Sequence, residues 1–287
     1  MNILITGATG NVGKAIIKSF SYEQLDMKLI AGVRNYQKEK EKLNEFNVSL
    51  VEFDFENSQT FHSALKGIDT LFLLRPPQLA DVEKYFKPLI DAIKKSKVSH
   101  IIFLSVQGVE KSKIIPHHKI EKLIVDNEIA YTFLRPAYFM QNFTTALHTD
   151  LVKNKRIFLP SGDAKFTLID LDDVGKVAAK ILADPSKHIN TCYDLTNNET
   201  LSFAEMANKL SSGLGKEIRF ISPSLIQFFL TKRKEGMPIM FIMVMIMLHY
   251  LPRFQPTPKI SPWVKNITGQ EPQTFDSFVS ANLSNLQ

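Results

Sequence analysis

Apolar residues in the first half of this chain fall into short, nearly continuous runs separated by amphipathic stretches. The runs are Met1–Thr6, Lys28–Val33, Ser49–Phe53, Thr70–Leu74, His100–Leu104 and Ala130–Leu134. Runs of this length and continuity predict parallel strands covered on both faces. Between two of them, Val82 to Lys95 places Val82, Phe86, Leu89, Ile90 and Ile93 on one helical stripe. Such alternation predicts an α/β fold, a doubly wound parallel sheet with ligands at the carboxyl ends of its strands. Beyond about residue 145 the pattern becomes irregular. Phe166–Ile169 and Cys192–Leu195 predict strands, Asp172-Asp173-Val174 predicts the start of a helix to Leu182, and Ser202–Glu205 fits a capping box.

The first run leads directly into Gly7-Ala8-Thr9-Gly10-Asn11-Val12-Gly13 and then the helical pattern Lys14-Ala15-Ile16-Ile17. A strand, three glycines at a three-residue period and a helix present free backbone N–H groups and a positive helix end to a pyrophosphate. Gly7, Thr9, Gly10, Asn11, Val12 and Gly13 are therefore the candidate phosphate cradle. After the second run, where a carboxylate would bind the adenosine ribose of NAD, the chain carries Arg34. A guanidinium there pairs with a 2′-phosphate, so NADP(H) is favoured over NAD(H). These features place a dinucleotide-binding Rossmann domain over residues 1–155. A smaller mixed substrate-side or lid domain is expected over 156–287, with interleaved segments returning to the sheet.

Composition narrows the partners. The 287 residues are 44% hydrophobic and 22% charged, as in globular proteins that bury a sizeable core. The formal charge is +6, but bases alternate with acids in stretches such as Lys38–Lys42, so no nucleic-acid surface is indicated. The single cysteine, Cys192, excludes an intramolecular disulfide and a cysteine-rich zinc site. A strand beginning at residue 2 leaves no room for a signal peptide, so cytoplasm is expected. Pro238–Leu248 is almost wholly apolar but shorter than the roughly 20 residues a transmembrane helix needs. It reads as a pocket wall or homodimer surface, with a buried core helix and a membrane-surface anchor as the other readings.

Four motifs carry a family resemblance: the glycine loop, Val33-Arg34-Asn35, Tyr131–Ala137 with its Leu-Arg-Pro, and Asp170–Gly175. With the ending Ile267–Pro272, they make the chain similar to the atypical short-chain dehydrogenase/reductases over nearly its whole length. More narrowly it resembles the NmrA-like branch, which includes type 2 NAD(P)H:quinone oxidoreductases and non-catalytic redox sensors. The resemblance implies that Asp54 and Phe55 lie beside the adenine. It also implies that Leu74, Arg75 and Pro76, with Pro136, Ala137, Tyr138 and Phe139, line the nicotinamide side.

The chain departs from the wider superfamily at its catalytic residues. Ser105 is present, but Lys113 stands at the tyrosine position and His117 at the lysine position, so the Tyr-x-x-x-Lys dyad is missing. Quinone-reductase relatives resemble this chain in carrying histidine there, which makes Ser105 and His117 the catalytic candidates. A histidine of ordinary pKa would suit proton transfer. Tyr138, Met140 and Asn142 are candidate substrate contacts. A quinone needs mainly an oriented cofactor and an apolar wall, so an NADPH-dependent quinone reductase tolerates the missing dyad. The alternative is a non-catalytic NADP(H) sensor acting through a protein partner.

Overall fold

The computed structural model describes residues 1–22 and 27–287. Among them twelve strands form: β1 (Asn2–Ile5), β2 (Lys28–Val33), β3 (Ser49–Glu52), β4 (Thr70–Leu73), β5 (His100–Leu104), β6 (Ala130–Pro136), β7 (Tyr138–Phe139), β8 (Arg156–Phe158), β9 (Lys165–Ile169), β10 (Thr191–Leu195), β11 (Thr200–Ser202) and β12 (Arg219–Ile221). Their contacts group the chain into two compact units. The first comprises Met1–Pro136, Leu171–Leu195 and Pro262–Gln270; the second comprises Ala137–Asp170, Thr196–Ser261 and Glu271–Gln287.

The first unit holds a seven-stranded sheet in the order β10-β6-β5-β4-β1-β2-β3. Every neighbouring pair in it is parallel. Burial of the central strands explains their unbroken apolar character: Ile3, Leu4, Ile5, Leu71, Phe72, Leu73, Ile101, Ile102 and Phe103 are all at 0% exposure. The helical stripe expected over Val82–Lys95 forms as two helices, Val82–Tyr85 and Lys87–Lys94. Pro88 has no N–H to donate to the preceding turn, so the helix breaks at Phe86, although all five stripe residues stay buried. The helix Leu171–Ala183 packs closely on the helix Asn11–Tyr22. A Cβ at Gly175 would lie 2.6 Å from the Ala15 carbonyl oxygen.

In the second unit β9 pairs antiparallel with β11 and parallel with β7, while β12 pairs parallel with β8. Residues 137–155, expected with the dinucleotide-binding part, group here because Met140, Phe143, Leu147 and Leu151 pack into this unit's core. The helix Phe203–Leu214 opens with the capping box read from the sequence. The Ser202 hydroxyl accepts from the Glu205 amide at 3.2 Å, and the Ser202 amide donates to Glu205 Oε2 at 2.7 Å. Ser202→Ala is expected to cost about 1 kcal/mol, the usual weight of a lost N-cap, with Ser202→Thr near wild type. Urea unfolding checks this; an unchanged midpoint in the alanine variant would show that the cap adds nothing.

Candidate functional site

Because the strands of the first unit are parallel, the residues just past β1 to β6 gather along one edge of one sheet. Gly7–Gly13, Arg34, Asp54, Leu74–Pro76 and Ser105 lie there, with Pro136 closing β6. The strand order reverses between β1 and β4, the place where open α/β sheets bind ligands. Thr6 fixes that place. Its hydroxyl accepts from the Leu74 amide at 2.8 Å and donates to the Leu74 carbonyl at 3.1 Å, tying the chain after β4 to the glycine loop.

The loop itself is tight. Gly7 adopts φ +60°, and its carbonyl accepts the Gly10 amide at 3.0 Å. A Cβ on Gly13 would stand 2.5 Å from that carbonyl oxygen and 2.6 Å from Ala8 Cα. The first turn of the helix leaves the Asn11, Val12 and Gly13 amides without intrahelical acceptors, an arrangement suited to an anion.

Arg34 is exposed at the end of β2, as expected, but it is accompanied by a carboxylate that sequence position alone did not reveal. Asn35 caps the helix Tyr36–Lys40, accepting from the Lys38 amide at 3.0 Å. That turn brings Glu39 back to the loop, where it pairs with Lys42 at 3.0 Å and hydrogen-bonds the Thr9 side chain. Burial alone would raise its pKa. The Lys42 and Thr9 hydrogen bonds and the charges of Lys42 and Arg34 outweigh this and hold it below the ordinary value. At β3, Asp54 forms a local turn, its Oδ1 accepting from the Glu56 amide at 3.0 Å. Phe55 instead turns its ring into the core, 4.9 Å from Phe53 and 5.2 Å from Phe86 between centroids.

The end of β4 is held by a clasp. Arg75 Nη1 donates to the carbonyls of Pro76, Pro77 and Leu79 at 3.0, 3.1 and 3.2 Å. Its Nε is buried without an acceptor. Extending the β4–β5 register by two residues sets Arg75 opposite Ser105, whose buried hydroxyl also lacks a partner. His117 lies in the first turn of the helix Pro116–Asp126, stacked on Phe103 with ring centroids 6.0 Å apart. Arg135 of the Leu-Arg-Pro motif secures this helix through Glu121, with bonds of 3.0 and 2.6 Å. The motif thus positions His117.

Burial, and then the positive charge of Arg75, lower the His117 pKa to about 3. The ring is therefore neutral at pH 7, able to hydrogen-bond but not the proton store that an ordinary histidine would be. Ser105, Arg75 and the open amides fit a dinucleotide: donors for a pyrophosphate, and unpaired buried polar atoms for the groups beyond it.

The remaining expected residues belong to the second unit. The Tyr138 hydroxyl lies 3.2 Å from His249 Nε2, while His249 Nδ1 lies 2.7 Å from the Met245 carbonyl. A carbonyl only accepts, so Nδ1 carries the hydrogen and the tyrosine donates to Nε2. Burial lowers the His249 pKa to about 4 and raises that of Tyr138. Asn142 also bonds the Tyr138 side chain. Ala137 is buried, Phe139 half-buried, and Met140, at 0% exposure, is core packing rather than a lining residue.

Comparisons place this geometry among known proteins. Prestalk A differentiation protein A of Dictyostelium discoideum is 29% identical over 99% of this chain and 93% of its own length. The NAD(P)H azoreductase of Xenophilus azovorans is 27% identical over 98% and 97%. Quinone oxidoreductase 2 of Escherichia coli K12 is 25% identical over 82% of each. The crystal structure of the E. coli NADPH-dependent quinone oxidoreductase QOR2 with NADPH matches at TM-score 0.87 and 22% identity, covering 97% of this chain and 99% of that one. The NmrA-like family model matches residues 1–252. With its parallel sheet, glycine loop and Leu-Arg-Pro motif, the chain belongs to the NmrA-like family.

Proposed function

We propose that this protein is an NADP(H)-dependent reductase of quinones or similar electron-poor small molecules. The observation that carries the reading is the glycine cradle at the β1/β4 switch point, opposite whose far end Ser105 and Arg75 hold unpaired buried polar atoms. Near-full-length similarity to an NAD(P)H azoreductase and broad similarity to a quinone oxidoreductase support the acceptor class. A bound reduced nicotinamide supplies the hydride.

The chain's own residues bind and orient. The Asn11–Gly13 amides hold the pyrophosphate, Arg34 pairs with a 2′-phosphate, and Asp54 flanks the adenosine. Ser105 and neutral His117 hydrogen-bond the nicotinamide ribose, and the Leu74–Pro76 segment and Pro136 flank the ring. Hydride and a proton together convert a quinone to its hydroquinone. Water supplies that proton, so no tyrosine acid is needed.

Titration with NADPH and NADH, followed by NADPH oxidation with a quinone and azo-dye panel, tests the proposal. Binding with protein-dependent turnover is expected. Binding without turnover would favour the non-catalytic NADP(H) sensor, and no binding would overturn the cradle assignment. His117→Ala is expected to lower kcat about tenfold, with no histidine titration in kcat between about pH 5 and 8 in the wild type, because an imidazole neutral across that range has no proton to lose. A kcat that follows an ionisation near pH 6.5 would instead make His117 a proton donor.

A further inference from the structure

The helix Ile239–Tyr250 carries no charged side chain, and only one of its faces is packed. Ile242, Met245 and His249 are buried at 0%, 4% and 3% exposure. Ile239, Met243 and Met247 form one exposed row at four-residue spacing, at 51%, 49% and 41%. Met240, Val244 and Leu248 form the next, at 76%, 40% and 50%. A contiguous apolar surface of this size is unusual on a water-facing helix and marks a docking face.

Its charge surroundings identify the occupant. From Gly236 to Gln270 the sequence contains no acidic residue. Exposed Arg233 and Lys234 precede the helix, and exposed Arg253 follows it three residues beyond its end. The nearest preceding acid, Glu235, is engaged by Arg156 at 3.3 Å and Lys232 at 2.8 Å. An apolar strip bounded by bases at both ends complements anionic headgroups above acyl chains. A second copy meeting strip to strip offers the same flanking bases, with Glu235 already paired and only Asp163, in the cleft lined by Arg253, near them. Twelve residues span about 18 Å along a helix, short of a hydrocarbon core about 30 Å thick, so the helix lies in the surface instead of crossing it. Unbranched methionines adapt to a disordered partner such as lipid chains.

We infer that the Ile239–Tyr250 helix attaches this protein to anionic membrane surfaces. The attachment does not depend on the reductase reading, although an attached reductase would meet acceptors dissolved in lipid.

Co-sedimentation of the full chain with phosphatidylcholine vesicles, with and without phosphatidylglycerol, tests this. Binding that requires phosphatidylglycerol and weakens with salt is expected. Met243→Glu/Met247→Glu should abolish it with the circular dichroism spectrum and NADPH affinity unchanged. Should that variant misfold, Lys234→Gln/Arg253→Gln carries the test, and it should weaken binding roughly thirtyfold, the weight of two bases at an anionic surface. No sedimentation with either vesicle, or full binding by the variants, overturns the inference. A solution dimer that Met243→Glu/Met247→Glu dissolves overturns it in favour of a second copy. Loss of NADPH binding with retained vesicle binding would overturn only the cofactor assignment.

Discussion

Lys232→Met is expected to destabilise the protein by about 3 kcal/mol, the lower end of the cost of breaking one side of a buried ion pair. Lys232 and Asp150 are only 4% and 6% exposed and are paired across 82 residues of sequence. Asp150 also accepts from Arg156 Nε at 2.9 Å and Asn154 Nδ2 at 2.9 Å, so the variant leaves it partly compensated. That residual pairing places the cost at the lower end. Methionine preserves most of the apolar stem, so the loss reports charge instead of packing volume. Burial alone would raise the Asp150 pKa, but the Lys232, Asn154 and Arg156 hydrogen bonds and the Lys232 charge hold it below its ordinary value. A carboxylate with a depressed native pKa stabilises the fold above its unfolded pKa of about 4, and that contribution vanishes as pH falls through the native value. Urea unfolding should therefore show the wild-type advantage over Lys232→Met at pH 7 shrinking below about pH 4. Equal stability at pH 7 would mean that the pair only balances its own desolvation.

Arg34→Ala is expected to weaken NADPH binding by about 1.5–3 kcal/mol, the range of a charge-assisted hydrogen bond, and to leave NADH almost unaffected. Glu39 adds a second arm to this test. Its carboxylate sits with Thr9, Lys42 and Arg34 where the 2′-phosphate of NADPH would bring further negative charge. Glu39→Gln removes the competing charge and should tighten NADPH several-fold while NADH changes little. Isothermal titration of both variants with both cofactors decides the matter. Equal losses for NADPH and NADH in Arg34→Ala would show that Arg34 does not read the phosphate. Unchanged NADPH affinity in Glu39→Gln would show that its carboxylate moves clear before the nucleotide binds.

Features that depend on near neighbours are readable from the order of residues alone. Continuous apolar runs are legible because a strand buried on both faces needs them, and all six runs of the first half became neighbours in one parallel sheet. The glycine loop and the Ser202 capping box are legible for the same reason: each is a bond or a steric limit spanning a few residues. Which distant groups meet depends on the folded arrangement of several elements at once. Glu39 returned to Thr9 through an asparagine-capped turn, five residues beyond the position where an acid would be sought. Arg75 was visible as a base, but the burial that, with its charge, neutralises His117 was not, since desolvation depends on packing from several elements at once. Met140 and Met245 entered a core whereas Met243 and Met247 face outward. Composition treats these methionines alike; their orientation is set by which helix face the chain has something to pack against.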